Sequence, residues 1–259
     1  MTEQLAGFLR RHDPDRFLTA LFAPPDKRGA LFALYAFNHE LARAREAVSE
    51  PILALIRLQW WREVVEGAAR RHEVAEPLSA AIEAGLLQRA DLLSLIAARE
   101  IEADPAILTI AAWRDYVLGS AGGLAVAAGR LLGAPEPERL RPFGAAYGVA
   151  GLLRSIPALA RQGRCLLPED VLSAHDLSPE EVIGASTGAK LGPVMRALAA
   201  EGHALLEQGK GLRLPRPAIA AALPAVLARR DLARPFVHLP GRGLGDKLAV
   251  VVAGMAGRI

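Results

Sequence analysis

The sequence has little of what metal enzymes, redox enzymes and nucleotide-binding proteins need. Its single cysteine, Cys165, excludes an internal disulfide and fits a reducing compartment. It contains no CxxC pair, no HExxH pattern and no glycine-rich phosphate loop that opens a helix after a strand. No metal-ligand spacing connects the six histidines, and each is interpreted as an ordinary surface or core residue: His12, His39, His72, His175, His203 and His238.

Concentrated charge and long apolar runs are also missing. The formal net charge is +3 and the arginines are scattered along the chain, so nucleic-acid binding is not expected. No run approaches ~20 apolar residues, so no membrane span is expected, and the first residues lack the apolar core of a secretory signal. The nearest run, "LAVVVAGMAG" at 248–257, is interpreted as a helix on the body of the protein. A peripheral membrane contact through 246–259 is the alternative.

Helix-forming residues, by contrast, are abundant. Hydrophobic residues make up 52% of the chain, and alanine and leucine dominate them, whereas aromatic residues make up only 5%. Pro24 and Pro25 open a long helix predicted to run to about Ala47, and Ser49 with Pro51 signals the next. The segment "SPEE" at 178–181 predicts a capping box. Further helices are predicted over 77–88, 89–103, 106–132, 137–162, 188–208, 216–230 and 246–257. The prediction is one all-α domain over residues 1–259.

Four segments, in order, resemble landmarks of the squalene/phytoene synthase family. They are "PPDKRGALFALYAF" at 24–37, "LQWWREVVEG" at 58–67, "YVLGSAGGLAVAAGRLLG" at 116–133 and "GLLRSIPALARQGRCLLPEDVL" at 151–172. The resemblance implies an isoprenoid-synthase fold, a helical bundle around a central cavity. In working members, two aspartate-rich motifs on facing helices hold magnesium ions that bind prenyl diphosphates. Within the third segment, the small residues "GSAGG" at 119–123 favour the close approach of another helix over phosphate binding.

Both aspartate motifs are degenerate in this chain. The positions that match the first motif are Ala42 and Glu46, with Arg43 where a further aspartate commonly stands. The positions that match the second are Ser155 and Leu159. Magnesium requires several oxygen ligands, and one glutamate does not hold a magnesium cluster. No cofactor and no catalytic residue are therefore predicted, and the family's reaction is not expected.

The second motif keeps its basic residues. Arg154 and Arg164 match basic positions of the family and Arg161 is nearby, so these three could bind an anionic headgroup without a metal. The alternative is that they are surface or ion-paired arginines on a degraded scaffold. Pro157, in the middle of the motif, is predicted to kink or end its helix.

The departures themselves resemble one branch of the family, the mitochondrial assembly factors of respiratory complex I. The similarity lies in "AFNHELA" at 36–42 and "VSE" at 48–50, and that branch also lacks the aspartates. It implies a non-enzymatic factor whose partners are complex I subunits or a lipid or isoprenoid. The lysine-poor composition and the lack of a mitochondrial presequence suggest a bacterial protein of the cytoplasm, peripheral to the inner membrane.

Two other functions stay open. The first is a prenyltransferase that joins allylic prenyl diphosphates, with magnesium held at a relocated site by Glu46 and carboxylates such as Asp115 or Glu100. The second is a metal-free carrier whose cavity holds a lipid or a prenyl diphosphate. The positions of these carboxylates relative to the cavity distinguish the prenyltransferase from the other functions.

Overall fold

The structure, a computed structural model, describes residues 2–46, 48, 50–185, 187–234 and 242–259. Within them the chain forms fifteen α-helices joined by short 3₁₀ turns and loops. These are α1 Thr2–His12, α2 Pro14–Ala20, α3 Pro25–Glu46, α4 Pro51–Glu66, α5 Ala75–Glu83, α6 Arg89–Arg99, α7 Ile110–Val117, α8 Gly123–Leu132, α9 Arg141–Arg161, α10 Glu169–Ser173, α11 Pro179–Ile183, α12 Leu191–Gln208, α13 Ile219–Ala222, α14 Pro224–Leu232 and α15 Leu244–Ala256. Over the same residues, the one β-type pairing is an isolated bridge between Ile107 and Pro168. The all-α prediction is confirmed.

Local sequence signals set several helix boundaries. Asp13 caps α2, since its carboxylate accepts a hydrogen bond from the backbone N–H of Arg16 at 3.0 Å. The capping box of α11 is present as predicted, with Ser178 and Glu181 bonding each other's backbone. The predicted cap Ser49 and the predicted helix end Ala47 lie outside the described residues, as does His238.

The predicted helix over 106–132 begins later, at α7, where Thr109 caps the first turn. From there α7 runs without a break through a π-helical turn, Leu118–Gly122, into α8. The prediction for Pro157 was wrong in one respect, because α9 continues past it to Arg161. Pro157 is exposed and lies near the helix end, so it removes one backbone bond, while buried Ile156 and Leu159 keep the last turn packed.

Helix α9 occupies the centre of the bundle and packs against α8, α12, α14 and the π-helical turn. The contact with the turn is close enough to exclude side chains. A Cβ atom added at Gly144 would lie 2.6 Å from Cβ of Ala125 and would collide with the carbonyl oxygen of Ala121. The interpretation of the small residues at 119–123 as a helix-packing surface is therefore confirmed.

By length and hydropathy, one stretch of the described chain could cross a bilayer. It is Pro137–Arg161, which contains α9 and has a mean hydropathy of 1.2 in its most apolar window. The expectation of no such stretch was too strict, because it required an uninterrupted apolar run. Half of that window is buried inside the bundle, as expected of a core helix.

Candidate functional site

The two degenerate motifs face the same cavity. Ala42 and Glu46 from α3 and Ser155 and Leu159 from α9 all line one cavity of about 280 Å³. Each pair is four residues apart, so both members lie on one face of their helix. The scaffold thus keeps the facing geometry that the resemblance implies, although the side chains at these positions have changed.

The first motif contributes almost no charge to the cavity wall. Ala42 is half-buried and apolar, whereas Glu46 is exposed at the end of α3. Arg43 is exposed and does not line the cavity. Arg45 turns to the following loop, where it donates to the carbonyl oxygen of Val48 at 2.8 Å. The arginines of this segment therefore do not replace the lost aspartates inside the cavity.

A buried polar network occupies the wall beside the motifs, centred on Glu102. The carboxylate of Glu102 accepts hydrogen bonds from Arg99 at 2.6 Å, from the Tyr116 hydroxyl at 2.7 Å and from Arg164 at 2.9 Å. Arg99 also reaches the side-chain oxygen of Asn38 on α3 at 3.4 Å. Glu102 is only 6% exposed. Its two oxygens are thus occupied by protein donors.

The network favours a charged Arg99 and a neutral Tyr116. Burial alone would lower the pKa of Arg99, but Tyr116 and Glu102 together raise it above its ordinary value. Burial raises the pKa of Tyr116, and the adjacent Glu102 carboxylate raises it further. Tyr116 therefore stays a hydrogen-bond donor at physiological pH.

A second ion pair also lines the cavity. Arg16 donates to Asp13 at 3.0 Å, and its guanidinium lies 4.9 Å from the ring centroid of Tyr147. The Tyr147 hydroxyl donates to Asp15 at 3.1 Å. Burial opposes the charge of Arg16, but Asp13 and Tyr147 beside it raise its pKa. Here too the carboxylate that faces the cavity already has a cationic partner.

His39 is the one histidine that lines the cavity among the described residues. Its ring is 5.1 Å from that of His12 and 5.4 Å from that of Phe8. Its Nε2 atom is buried and has no hydrogen-bond partner. Burial, helped by His12 and Arg43, lowers the pKa of His39 to about 4. His39 is therefore neutral at physiological pH.

The donors in the cavity do not fit a magnesium cluster. Three carboxylates line it, of which Asp13 and Glu102 are ion-paired and Glu46 is exposed at the rim. Across the described part of the chain, no three His, Cys, Asp or Glu side chains come together as a metal site. Magnesium needs several oxygen ligands at one point in near-octahedral geometry. Arg16, Arg99 and Arg164 in the same wall repel a divalent cation.

The three predicted anion-binding arginines do not converge. Arg164 is buried in the cavity wall and bonded to Glu102. Arg154 points elsewhere and pairs with the buried Asp231 at 3.1 Å. Arg161 is exposed at the end of α9, away from the lining. Of the predicted set, one residue belongs to the cavity, and its charge is already balanced.

The carboxylates of the relocated-metal alternative also lie apart from the cavity. Asp115 is exposed on α7 and does not line it. Glu100 is exposed and bonded to Arg62 at 2.6 Å, beside a different surface groove on α4. Glu46 therefore has neither of its two proposed co-ligands.

Several residues of the site had no predicted role. Asn38 and Tyr116 lie in segments that carry the family resemblance, and Glu102 lies outside them. Glu102, Tyr116 and Asn38 come from three separate segments, and their pairing depends on the folded bundle. The i,i+3 spacing of Arg99 and Glu102 was one available signal, because residues three apart on a helix are neighbours. Asp13 with Arg16 has the same spacing.

Comparisons with known proteins agree with this architecture. The profile of the squalene/phytoene synthase family matches residues 9–234. Two relatives, from Bos taurus and Homo sapiens, are each called NADH dehydrogenase (ubiquinone) complex I, assembly factor 6. Each is 27% identical over 227 residues, which cover 85% of this chain and 68% of the relative.

Solved structures share the fold along nearly the whole chain. A dehydrosqualene synthase crystallised with a ligand superposes with a TM-score of 0.79 at 14% identity, over 98% of this chain and 95% of that one. A squalene synthase from Alicyclobacillus acidocaldarius gives a TM-score of 0.66 at 19% identity, over 99% and 94%. The predicted isoprenoid-synthase-type fold is confirmed. With its profile match and its fold, the chain belongs to the squalene/phytoene synthase family.

Proposed function

We propose that this chain is a catalytically degenerate member of its family that works as a non-enzymatic assembly or partner-binding factor for respiratory complex I. One observation carries the proposal. The four motif positions still meet at one cavity, but they present alanine, serine, leucine and one rim glutamate where magnesium ligands are required.

The chemistry of the family explains why this matters. Ionisation of an allylic diphosphate leaves a highly charged anion, which a metal cluster stabilises as a Lewis acid. In this cavity the inner carboxylates are bonded to arginines, so their charge is already neutralised within the protein. If the arginines left these pairs to bind a ligand, the carboxylates would stay buried without a counter-charge. That loss would cost the fold several kcal/mol. The arrangement therefore favours a permanent structural network over metal-assisted ionisation.

The names of the relatives support the assembly role over other binding roles. Both are called assembly factors of NADH dehydrogenase, and they match 85% of this chain. The proposed partners are complex I subunits, and the proposed location is the bacterial cytoplasm at the inner face of the membrane. A prenyltransferase with a relocated site gains no support from Asp115 and Glu100, which lie away from the cavity.

The catalytic question is answered by titrating the purified chain with farnesyl and geranylgeranyl diphosphate, with and without magnesium, and measuring released diphosphate. No magnesium-dependent binding and no diphosphate are expected. Turnover that requires magnesium would overturn the proposal. Tight binding that ignores magnesium would favour the carrier, because it would show a cavity that accepts a ligand without a metal.

The assembly role is tested in cells whose genome encodes this chain. Deleting the gene should lower assembled complex I on native gels and lower NADH oxidation by membranes. Plasmid-borne wild type and Glu46→Gln should both restore assembly, since Glu46 is exposed and holds no metal in this proposal. Rescue by wild type but not by Glu46→Gln would favour the relocated-metal alternative. Unchanged complex I levels in the deletion strain would refute the assembly role.

A further inference from the structure

Helix α15 exposes its apolar side chains. Four large apolar residues lie along one face at spacings of four, four and three, and their exposed fractions are 79% for Leu244, 60% for Leu248, 64% for Val252 and 68% for Met255. Residues at these spacings form one continuous stripe along a helix. An ordinary surface helix has the opposite arrangement, with its apolar stripe facing the core.

The orientation of α15 is held by a buried ion pair and by packing. Asp246 is 3% exposed and accepts hydrogen bonds at 2.7 Å from both Arg230 and Arg234. On the same buried face, a Cβ atom at Gly254 would lie 2.5 Å from the ring of Phe22, so the helix sits directly on that ring. Rotating α15 to hide its stripe would pull Asp246 out of its arginine pair. The apolar stripe is therefore an outward face of the folded chain.

Basic side chains lie near the apolar stripe. Lys247 is exposed on α15, and Arg258 is exposed just beyond its end. Beside that end lies a surface cavity of about 650 Å³, lined by Arg213 and Arg258 with apolar residues and no acidic side chain. In the part of the chain that the structure describes, Lys247, Arg213 and Arg258 form no ion pair. The surface thus combines exposed apolar area with unpaired positive charge.

We infer that α15 docks the protein on an anionic phospholipid bilayer, with its stripe in the interface and Lys247, Arg213 and Arg258 at the lipid phosphates. A helix that lies in the interface buries an apolar face and places basic residues at its edges, as α15 does. Guanidinium groups pair well with phosphate oxygens. A second copy of this chain would bring the same cations to the same surface, so charge complementarity favours the bilayer.

The docking surface deepens the proposed function, on which it rests in part, because a factor for a membrane complex acts at a membrane. The two can fail separately. Vesicles contain no respiratory subunit, so a lack of vesicle binding would remove the docking surface and leave the assembly role to its own genetic test.

The experiment is flotation of the full chain with vesicles of phosphatidylcholine alone or with a third of phosphatidylglycerol. Wild type should float with the anionic vesicles. Leu248→Ser with Val252→Ser should reduce the partition coefficient at least tenfold, because two interfacial apolar side chains are lost. The matched control is Ile52→Ser with Ile56→Ser, also four residues apart and 56% and 58% exposed, on α4. That pair should bind as wild type does.

The charge contribution is measured separately. Arg213→Gln with Arg258→Gln should lower binding to anionic vesicles about fivefold for each residue, and added salt should lower it for wild type. Three results would overturn the inference. They are no vesicle binding, equal loss in the α4 control, and a wild-type dimer that the Leu248→Ser with Val252→Ser variant converts to a monomer, which would assign the stripe to a second copy.

Discussion

Arg164 donates a hydrogen bond to Glu102 at 2.9 Å inside the cavity, across 62 residues of sequence. The family resemblance suggested Arg164 as a ligand for an external anion, but its anion is a carboxylate of the same chain. With Arg99 on the other oxygen, Glu102 is shared between the buried Arg164 and the half-buried Arg99. Over the whole cavity lining, the three carboxylates of Asp13, Glu46 and Glu102 match the three guanidinium groups of Arg16, Arg99 and Arg164, so the formal charges balance without any ligand.

Glu102→Gln should destabilise the fold strongly. The amide leaves Arg99 and Arg164 without their shared counter-charge in a buried site, and the free energy of unfolding should fall by about 2–4 kcal/mol. The change in the midpoint of denaturant unfolding measures this loss of stability. The matched control is Glu100→Gln, two residues away, which breaks the exposed pair with Arg62 and should cost about 0–1 kcal/mol. Equal losses for the two variants would mean that the buried network adds no stability.

Stability should also fall in mild acid because of His39. Its pKa is about 4 in the folded chain and near 6.5 in an unfolded one, so the unfolded state takes up the proton first. The neutral form stabilises the fold above pH 6.5, and that contribution is lost between pH 6.5 and pH 4. Allowing for partial exposure, about 1–2 kcal/mol is expected. The difference between the urea midpoints at pH 7 and pH 5 should be smaller for His39→Gln than for wild type. An equal difference in the two proteins would exclude His39 as the cause of the acid destabilisation.

Two glycines of α9 provide a matched test of the central helix contact. Gly144→Ala places a methyl group 2.6 Å from Cβ of Ala125 and should cost about 1–3 kcal/mol through overpacking. Gly151→Ala, in the same helix, meets nothing within 4 Å and should be neutral or stabilising by up to about 1 kcal/mol. Thermal melting of both variants gives the comparison. A Gly144→Ala variant that melts with wild type would show that α9 can move away from the π-helical turn at little cost.

Carboxylates placed back at the motif positions should restore magnesium binding without restoring catalysis. Ala42→Asp with Ser155→Asp adds two carboxylates to a cavity that Glu46 already borders, and half-buried positions tolerate them. Calorimetric titration should then detect weak magnesium binding that wild type lacks. The control is Asp115→Asn, which should leave the wild-type baseline unchanged. Magnesium binding by unmodified wild type would contradict the description of the site.

Most of the helices could be predicted because their signals are local. Periodic apolar residues, prolines at the first turn and the Ser178 capping box each act within a few residues. Pro157 misled for the same reason, since a local rule about proline ignores the packing of Ile156 and Leu159 that keeps its helix intact.

The site was less predictable because its main contacts are long-range. The four motif positions could be named from resemblance, but nothing near Glu102 in the sequence indicates Arg164 or Tyr116 as partners. The outward face of α15 was equally hidden. An apolar stripe gives the same sequence pattern whether it is buried or exposed. The ion pair between Asp246 and Arg230 fixes which face of the helix is exposed.

The π-helical turn at Leu118–Gly122 also separates two tasks within one continuous helix. Tyr116, before the turn, bonds Glu102 in the cavity wall, and Ala125, after it, packs on Gly144. A π turn holds one residue more than an α-helical turn, so it takes up one extra residue while the helix on either side keeps its facing. A one-residue deletion there would restore a regular helix and leave its second half facing α9. Alignments that admit no insertion at this turn will therefore shift one half of the helix by one position relative to family members that lack it.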